Sequence, residues 1–314
     1  MTVLMESRRL SRPLPLQANL GFLISEKKSQ ARSWIKEVLS GAESYASSQG
    51  YSLQPFWAEE ISGQSRTLAR IIRSRNIQGL ILSPEHEAPL QLELDWSSFA
   101  VISLHYGPSQ YIPRFHQLVS NYFHSILEVC RHCGELGYRR IGLLLRDHPE
   151  SHYEYGRLVY GAYFAGMTEE PFGQAIPPLV TRELDPARIA EWIREHQLDA
   201  IIQAGGGLSA SDYPPAFYAA MSKHGIEIGS LTGLVVLGNH PGFNLAVVDE
   251  RTESLGECAA KHLIDMFRRN LRGVPSDAMT YQFNGCFHPG STLPSRLLAA
   301  PRPENALLLA RSYL

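Results

Sequence analysis

The stretch that decides the fold lies near the middle of the chain and reads Glu135-Leu-Gly-Tyr-Arg-Arg-Ile-Gly-Leu-Leu-Leu145. A helical pattern over 123–136 ends at Gly137, and glycine suits the left-handed backbone conformation that closes many helices. The apolar run that follows does not alternate with polar residues, which is typical of a parallel strand covered on both faces. The stretch therefore predicts a helix, a turn through a basic pair, and a buried strand over 141–145.

An earlier copy of this pattern begins at Leu20-Gly-Phe-Leu-Ile24. Its predicted elements are strand 20–24, helix 31–48, strand 52–57, helix 65–75, strand 79–83 and strand 100–104. Alternating strands and helices predict a parallel sheet. We therefore expect an α/β protein with two Rossmann-like lobes side by side and a ligand cleft between them.

The second copy repeats the order from 123 onward. Its predicted elements are helix 123–136, strand 141–145, helix 156–165, helix 186–196, strand 200–203, helix 215–224 and strand 233–237. A long helical pattern over 250–270 follows, and the alternating stretch 279–287 suits one last strand.

Length and charge limit the classes of protein that the chain can represent. With 314 residues and 44% hydrophobic content it can bury two cores, since a domain has about 150 residues. The 29 Lys and Arg residues are balanced by 31 Asp and Glu residues, which gives a net charge of -2. We therefore expect no overall attraction between this chain alone and DNA.

Neither a secretory signal nor a membrane span is visible in the sequence. The first 19 residues lack an apolar core segment, and no run approaches about 18 apolar residues. The four cysteines do not have the dense spacing of a secreted disulfide scaffold, which favours a reducing compartment. We expect a cytoplasmic protein.

The two ends of the chain are expected to lie outside the lobes. Residues 1–19 contain Pro13 and Pro15 and are predicted to be a linker remnant. Residues 297–314 form a leucine-rich tail interrupted by Pro301 and Pro303, which favours a loosely packed segment over a coiled coil that extends assembly.

No motif of a metal site, a cofactor site or an enzyme nucleophile is found. The sequence lacks a Walker loop, a G-x-S-x-G elbow, a dinucleotide fingerprint and an H-E-x-x-H pair. Cys130 and Cys133 have metal or redox spacing, but they fall inside a predicted helix and are expected to be buried thiols. We therefore expect no cofactor, no metal and no enzymatic activity.

The order and spacing of several segments over 20–293 are more specific. The segments are Leu20-Gly-Phe-Leu-Ile24, Gly50-Tyr-Ser-Leu53, Ile77-Gln-Gly-Leu-Ile-Leu82, His132-Cys-Gly-Glu-Leu-Gly-Tyr-Arg-Arg-Ile141, Asp199-Ala-Ile-Ile202, Val235-Val-Leu-Gly238, and the stretch from Gly256 to Arg272-Gly-Val-Pro275. Together they resemble the effector-binding core of LacI/GalR-type transcriptional regulators, a fold shared with type I periplasmic sugar-binding proteins.

The resemblance implies a division of the chain into lobes joined by three crossovers. The N-terminal lobe would comprise 20–116 and 250–273, and the C-terminal lobe would comprise 117–249 and 274–296, with strand 279–287 in the second lobe. It also implies a homodimer formed through first-lobe helices. Such regulators carry a helix-turn-helix headpiece of roughly 50 residues before the core. Residues 1–19 would then be what remains of its connection, and operator DNA would be bound only through the missing headpiece.

Ligands of parallel α/β sheets bind at the carboxyl ends of strands. This selects the windows 25–34, 83–86 and 105–106 in the first lobe, and 146–157, 204–207 and 238–240 in the second. A sugar needs bidentate donors, hydroxyl acceptors and an aromatic face. The candidate ligand-binding residues in these windows are Gln30, Trp34, His105, Tyr155, Arg157, Gly205 and Asn239, and Asp249 is added because it lies near a crossover that the resemblance implies.

Several of these candidates also have a simpler interpretation. Trp34 lies one turn into an amphipathic helix, where core packing is the commoner role. Arg157 resembles the arginine of the family's R-x-x-G motif, but the next glycine is Gly161, one residue too far, so a surface arginine is equally favoured. A glycine run begins at Gly205 where the family has an Asn-Asp pair, and Asn239 replaces a cleft aspartate, so the ligand need not be an ordinary hexose.

Two other functions remain open from the sequence. The first is a solute-binding protein that passes a sugar to a transporter, which the lack of a visible signal sequence disfavours. The second is an enzyme that uses His86, His105 or Arg157 in the cleft, for which no complete set of catalytic groups is found.

Overall fold

In the computed structural model, the described residues form two six-stranded sheets with their helices. The structure describes residues 18–61, 65–84, 92, 94–104, 112–146, 153–181, 184–205, 215–238 and 243–297.

The first sheet is parallel throughout. Its strands are β1 (Ala18–Leu23), β2 (Tyr51–Phe56), β3 (Ile77–Leu82), β4 (Ala100–Ser103), β5 (His116–Ser120) and β11 (Thr280–Phe283). They lie in the order β11-β5-β4-β3-β1-β2, and each neighbouring pair is parallel.

The second sheet has the same design with one exception at its edge. Its strands are β6 (Ile141–Arg146), β7 (Leu179–Thr181), β8 (Ala200–Ala204), β9 (Gly233–Leu237), β10 (Ala246–Asp249) and β12 (Cys286–His288). Their order is β12-β10-β9-β8-β6-β7, and only the β10–β12 pair is antiparallel. The predicted fold class, two parallel-sheet α/β lobes, is confirmed.

Helices connect the strands and cover the sheets. They are α1 (Ser33–Ser48), α2 (Ala58–Ile61), α3 (Ser65–Ser74), α4 (Tyr122–Glu135), α5 (Tyr153–Met167), α6 (Pro186–Glu195), α7 (Pro215–Lys223) and α8 (Thr252–Arg268). Short 3-10 turns occur at Lys28–Gln30 and Trp96–Ser98.

Each sheet is buried on both faces, which explains the unbroken apolar runs in the sequence. In β6, Leu143 packs into one core and its neighbour Leu144 packs into another. Adjacent residues of a strand point to opposite faces, so both must be apolar when both faces are covered. The first sheet repeats this arrangement, with Phe22 in one core and Leu23 in the other.

The turn quoted at the start of the sequence analysis is fixed by glycine and by one carboxylate. Gly137 has φ of +93°, the conformation that the sequence predicted. The backbone N–H groups of Arg139 and Arg140 then donate to the two carboxylate oxygens of Asp199 at 2.8 and 3.0 Å. The basic pair therefore stabilises the turn through its backbone N–H groups. The turn then leads the chain into β6, which lies beside β8.

Helices α1 and α8 cross at unusually short range because each presents a glycine to the other. A Cβ atom on Gly41 would lie 1.9 Å from the carbonyl oxygen of Glu253, and one on Gly256 would lie 2.0 Å from that of Val38. Only glycine permits this approach. The contact holds α8 on the first sheet, although the helix follows a strand of the second.

Within the described residues, the chain crosses between the sheets three times. The crossovers follow β5 at Asn121, β10 at Glu250, and β11 at Asn284. The prediction of one strand over 279–287 in the second lobe was wrong: 280–283 pairs with β5 in the first sheet, and 286–288 pairs with β10 in the second. The break comes at Gly285, where a Cβ atom would lie 3.0 Å from the carbonyl oxygen of Asp249.

Candidate ligand site at the crossovers

The segment after β1 contains a buried carboxylate with a fixed arginine partner. Glu26 is 3% exposed. It accepts hydrogen bonds from Arg32 Nε at 3.1 Å, from Arg32 Nη2 at 2.5 Å, and from the Arg32 backbone N–H at 3.0 Å. A buried carboxylate is tolerated only when it is paired in this way. The pair offers directed donors and acceptors without net charge.

A serine pair joins the carboxyl ends of β1 and β3. The backbone N–H of Ser25 donates to Ser83 Oγ at 2.9 Å, and the Ser25 hydroxyl donates to the carbonyl oxygen of Pro84 at 2.5 Å. Both serines are buried. This edge of the first sheet is therefore polar and preorganised.

On the second sheet, Tyr155 and Gly205 contact each other directly. The backbone N–H of Gly205, just after β8, donates to the phenol oxygen of Tyr155 at 2.8 Å. The ring of Tyr122, in the first turn of α4, meets the Tyr155 ring edge-on at a centroid distance of 4.5 Å. Burial raises the pKa of both phenols, so they stay neutral hydrogen-bonding groups.

The second crossover carries a carboxyl group with a strongly altered proton affinity. Burial, followed by the charges of Asp249 and Glu37, raises the pKa of Glu250 to about 8, against a smaller lowering by a hydrogen bond from Tyr122. The next residue, Arg251, has φ of +52°, and its backbone N–H donates to Asp249 Oδ1 at 2.7 Å. The turn into α8 is thus strained and held by its own aspartate.

Groups of the first sheet reach these second-sheet residues. The charge of Arg32 acts on Tyr122, and that of Glu37, on α1, acts on Glu250. Glu37 also accepts a hydrogen bond from the Thr252 hydroxyl at the start of α8. The carboxyl end of β1 and the crossovers therefore converge on one polar region.

The predicted site residues are distributed around this region. Tyr155 and Gly205 are brought together, and Asp249 is half-buried beside Glu250. Gln30 is exposed in the 3-10 turn before α1, and Arg157 is exposed on α5. The predicted residues His105 and Asn239, and the alternative His86, lie outside the described residues.

Trp34 has features of both a core residue and a ligand contact. Its ring packs against the first core, as the simpler interpretation expected. Its indole Nε1 is nevertheless buried and has no acceptor within the described part of the chain. An unmet buried donor is costly, which makes this N–H a candidate partner for a bound molecule.

Five of the residues that shape the site are not among those expected from the sequence. These are Glu26, Arg32, Glu37, Tyr122 and Glu250. Glu26 and Arg32 fall inside the window chosen after the first strand, so that window was informative. Tyr122 and Glu250 are recognisable only once the crossovers are known, because the strands before them, β5 and β10, were not predicted.

The remaining chemical candidates carry no site in the described structure. Cys130 and Cys133 are buried on α4, and burial raises the pKa of Cys130 to about 12 and that of Cys133 well above its usual value. Over the described ranges, no group of three or more His, Cys, Asp or Glu side chains could hold a metal ion. None of the described helices combines the length and apolar character that a membrane span requires.

Solved structures similar to this chain include transcriptional regulators of the LacI type. A protein from Bacillus cereus subsp. cytotoxis NVH 391-98, assigned as a LacI transcriptional regulator, is 18% identical with a TM-score of 0.66, over 89% of this chain and 99% of that one. A periplasmic binding ribose operon repressor protein from Lactobacillus acidophilus is 16% identical with a TM-score of 0.60, over 88% and 98%. The cellobiose complex of the transcriptional regulator CelR is 14% identical with a TM-score of 0.62, over 92% and 89%.

Sequence comparison adds nothing to this result, because no protein-family model and no curated protein matches the chain. At these identities the structural likeness establishes the fold, which is the two-lobed periplasmic-binding-protein-like α/β architecture.

Proposed function

We propose that the chain is the effector-sensing and dimerisation core of a LacI-type transcriptional regulator. In this proposal a sugar or a related small metabolite binds between the lobes without bond chemistry, and its binding changes the operator affinity of an attached DNA-binding segment. The observation that carries the proposal is the convergence of the β1 end, Tyr155 and Gly205 with the crossovers, in a fold shared with such regulators.

The chemistry of the convergent groups supports an uncharged, hydroxyl-rich ligand. The Glu26–Arg32 pair supplies fixed donors and acceptors with no net charge, and the phenol of Tyr155 stays protonated. Sugar hydroxyls both donate and accept, so paired groups of this kind suit them better than a lone charge does. The solved CelR complex with cellobiose is consistent with this class of ligand in this fold.

The proposed binding residues are those of the sequence analysis. They are Gln30, Trp34, His105, Tyr155, Arg157, Gly205, Asn239 and Asp249. To these we add Arg32 on the first lobe, because Glu26 fixes the direction of its guanidinium group.

The proposed mechanism uses the crossovers as a hinge. We divide the chain into lobes at Asn121, Glu250 and Asn284, which lie beyond the limits at 116 and 273 that the sequence suggested. A ligand that contacts both lobes favours the closed arrangement, and a homodimer would transmit that rotation to DNA-binding segments. Effector and operator affinities are then linked reciprocally. A regulator of this kind acts in the cytoplasm, where its operator lies.

The test is a thermal-shift screen of the purified chain with sugars, sugar acids, sugar phosphates and nucleosides. A ligand that binds only the folded state raises the melting temperature in a saturable way. We expect that one chemical class, which contains neutral sugars, raises the melting temperature in this way. The proposal would be overturned if no compound of these classes bound saturably.

The location of the site is tested with two matched arginine variants. Arg157→Ala is expected to weaken binding of the molecule found in the screen. Arg188→Ala removes an exposed arginine from the first turn of α6 and should leave the affinity unchanged. Equal affinities of both variants and the parent protein would remove Arg157 from the site.

A further inference from the structure

Four exposed arginines lie at one edge of the first sheet, where its strands begin. Arg75 follows the last residue of α3, and Arg268, Arg269 and Arg272 lie at the end of α8. These two helices lead the chain into β3 and β11 of this sheet. We call this surface the arginine edge. It lies opposite the carboxyl ends of the strands, so it is not part of the candidate ligand site.

Two of these arginines are held beside the point where the chain enters β1. Asn19, the second residue of β1, donates from Nδ2 to the carbonyl oxygen of Arg75 at 2.7 Å. The guanidinium group of Arg268 lies 5.6 Å from the centre of the Tyr51 ring. Tyr51 is the strand partner of Ala18, the first residue of β1. The arginine edge therefore borders the start of the first strand.

Arg272 extends the arginine edge to the next two strands. Its Nη2 donates to Gln78 Oε1 at 2.8 Å, at the start of β3, and its Nη1 donates to the carbonyl oxygen of Ser98 at 2.9 Å, just before β4. Its Nε donates to Asn270 Oδ1 at 2.8 Å. All three partners are neutral, so they fix the direction of the guanidinium group without compensating its charge.

Carboxylates balance only part of the positive charge on this edge. Among the described side chains, none forms an ion pair with Arg75, Arg268 or Arg272. The acids nearest to these arginines along the chain are Asp95, Asp265 and Asp277. The four positive charges therefore outnumber the acids around them.

Helix capping does not explain Arg268 and Arg272. At the corresponding edge of the second sheet, Arg140 donates to the carbonyl oxygen of His196, just after α6, at 2.9 and 2.7 Å. Such bonds neutralise the carbonyl groups at the end of a helix. In the described structure, neither Arg268 nor Arg272 donates to the carbonyl end of an α-helix. Their charges therefore stay available to a partner.

We propose that the arginine edge binds the phosphate backbone of double-stranded DNA. Guanidinium groups in fixed directions suit phosphate oxygens, and such contacts do not depend on the base sequence. This inference rests on the proposed function, in which a DNA-binding segment precedes β1, because DNA held by that segment would lie on the side of Ala18 where the arginines are exposed. The net charge of -2 does not prevent the contact, since salt screens charges beyond about 10 Å.

The test is the fluorescence anisotropy of a labelled DNA duplex that is titrated with the purified chain in the absence of effector. Binding should weaken from about 50 to about 200 mM salt, because each neutralised phosphate contributes about -0.9 to the slope of log affinity against log salt. Arg268→Gln/Arg272→Gln should make this slope less steep by about 2. Arg188→Gln/Lys223→Gln removes the same charge from exposed positions on α6 and α7 and should leave the slope unchanged.

A further variant keeps the test decisive if the arginine double variant does not fold. Within the described part of the chain, Arg269 donates only through its backbone N–H, to the carbonyl oxygen of Asp265. Arg269→Gln should therefore fold as the parent protein does and make the slope less steep by about 1.

The proposal would be overturned if the chain did not bind the duplex, or if the arginine-edge variants kept the slope of the parent protein. A slope that changes only in Arg8→Gln/Arg9→Gln/Arg12→Gln would assign the contacts to the sequence before β1 and would overturn it as well. Effector binding in the thermal-shift screen does not depend on these arginines, so this inference and the proposed function can fail separately.

Discussion

The phenol oxygen of Tyr155 accepts a hydrogen bond from the backbone N–H of Gly205 at 2.8 Å. This bond ties the first turn of α5 to the carboxyl end of β8, so two segments that the sequence nominated separately form one unit. It also means that Tyr155 has a structural task in addition to any contact with a ligand.

Tyr155→Phe is expected to lower the free energy of unfolding by about 1 kcal/mol, because the partly buried Gly205 N–H loses its acceptor. Urea denaturation of the purified variant measures this change. Tyr160→Phe is the control, since Tyr160 lies on the same helix and is 39% exposed. Equal losses in the two variants would show that the hydrogen bond does not stabilise the fold.

Gly256→Ala is expected to destabilise the protein although alanine is the better helix former. The new Cβ atom would lie 2.0 Å from the carbonyl oxygen of Val38, and such overpacking costs about 1–3 kcal/mol or more. Gly161→Ala, at a helical position with nothing within 4 Å of the new atom, should instead stabilise by about 0.5–1 kcal/mol. Chemical denaturation compares the two, and a neutral Gly256→Ala would contradict the close helix crossing.

The raised pKa of Glu250 predicts a specific pH dependence of stability. The folded state holds this proton up to about pH 8, whereas the unfolded state releases it near 4.5, so stability is lost as pH rises between these values. The loss is at most about 1.4 kcal/mol per pH unit, and less because the half-buried group is screened by solvent.

Glu250→Gln should flatten this part of the profile, while Glu257→Gln should preserve it. The midpoints of urea unfolding at several pH values between these limits provide the measurement. If the parent protein and Glu250→Gln lost stability in parallel, the Glu250 carboxyl group would not be the cause.

The thiols should differ sharply in reactivity. Cys286 is exposed and Cys258 is half-buried, whereas Cys130 and Cys133 are buried with a raised pKa. A chromogenic disulfide reagent should therefore modify Cys286 first, and it should reach Cys130 and Cys133 only after denaturation. Rapid modification of Cys130 or Cys133 in the folded protein would argue for a redox or metal role.

The sheets were predictable because their strands are buried on both faces. Two apolar runs, 141–145 and 20–24, contain no alternating polar residues. Such runs are typical of parallel strands that are buried on both faces. Gly137 could likewise be assigned a left-handed conformation from its place at the end of a helical pattern.

The crossovers between the sheets could not be predicted from hydrophobic patterns as the strands could. The pattern over 279–287 alternates as one strand, and only pairing shows that Thr280 belongs to the first sheet and Cys286 to the second. Strands β5, β7 and β10 have only three to five residues each, too few to show a period. The residues that follow β5 and β10, Tyr122 and Glu250, were missed for this reason.

The hydrogen-bond partners of the site residues could not be predicted from the sequence either. Tyr155 and Gly205 were nominated as ligand contacts by position, but their hydrogen bond to each other follows from the β6–β8 pairing. The same holds for the Glu26–Arg32 pair. The sequence shows that charged residues follow the first strand, but it does not show that Glu26 is buried.

The central claim is that a small molecule bound between the lobes closes them. Its most direct test is small-angle X-ray scattering of the purified chain with and without a saturating amount of the ligand found by thermal shift, at a constant pH below the Glu250 titration. Closure of the lobes predicts a smaller radius of gyration in the bound state, with a weaker ligand dependence in Arg157→Ala. Saturable binding with an unchanged radius of gyration would contradict it.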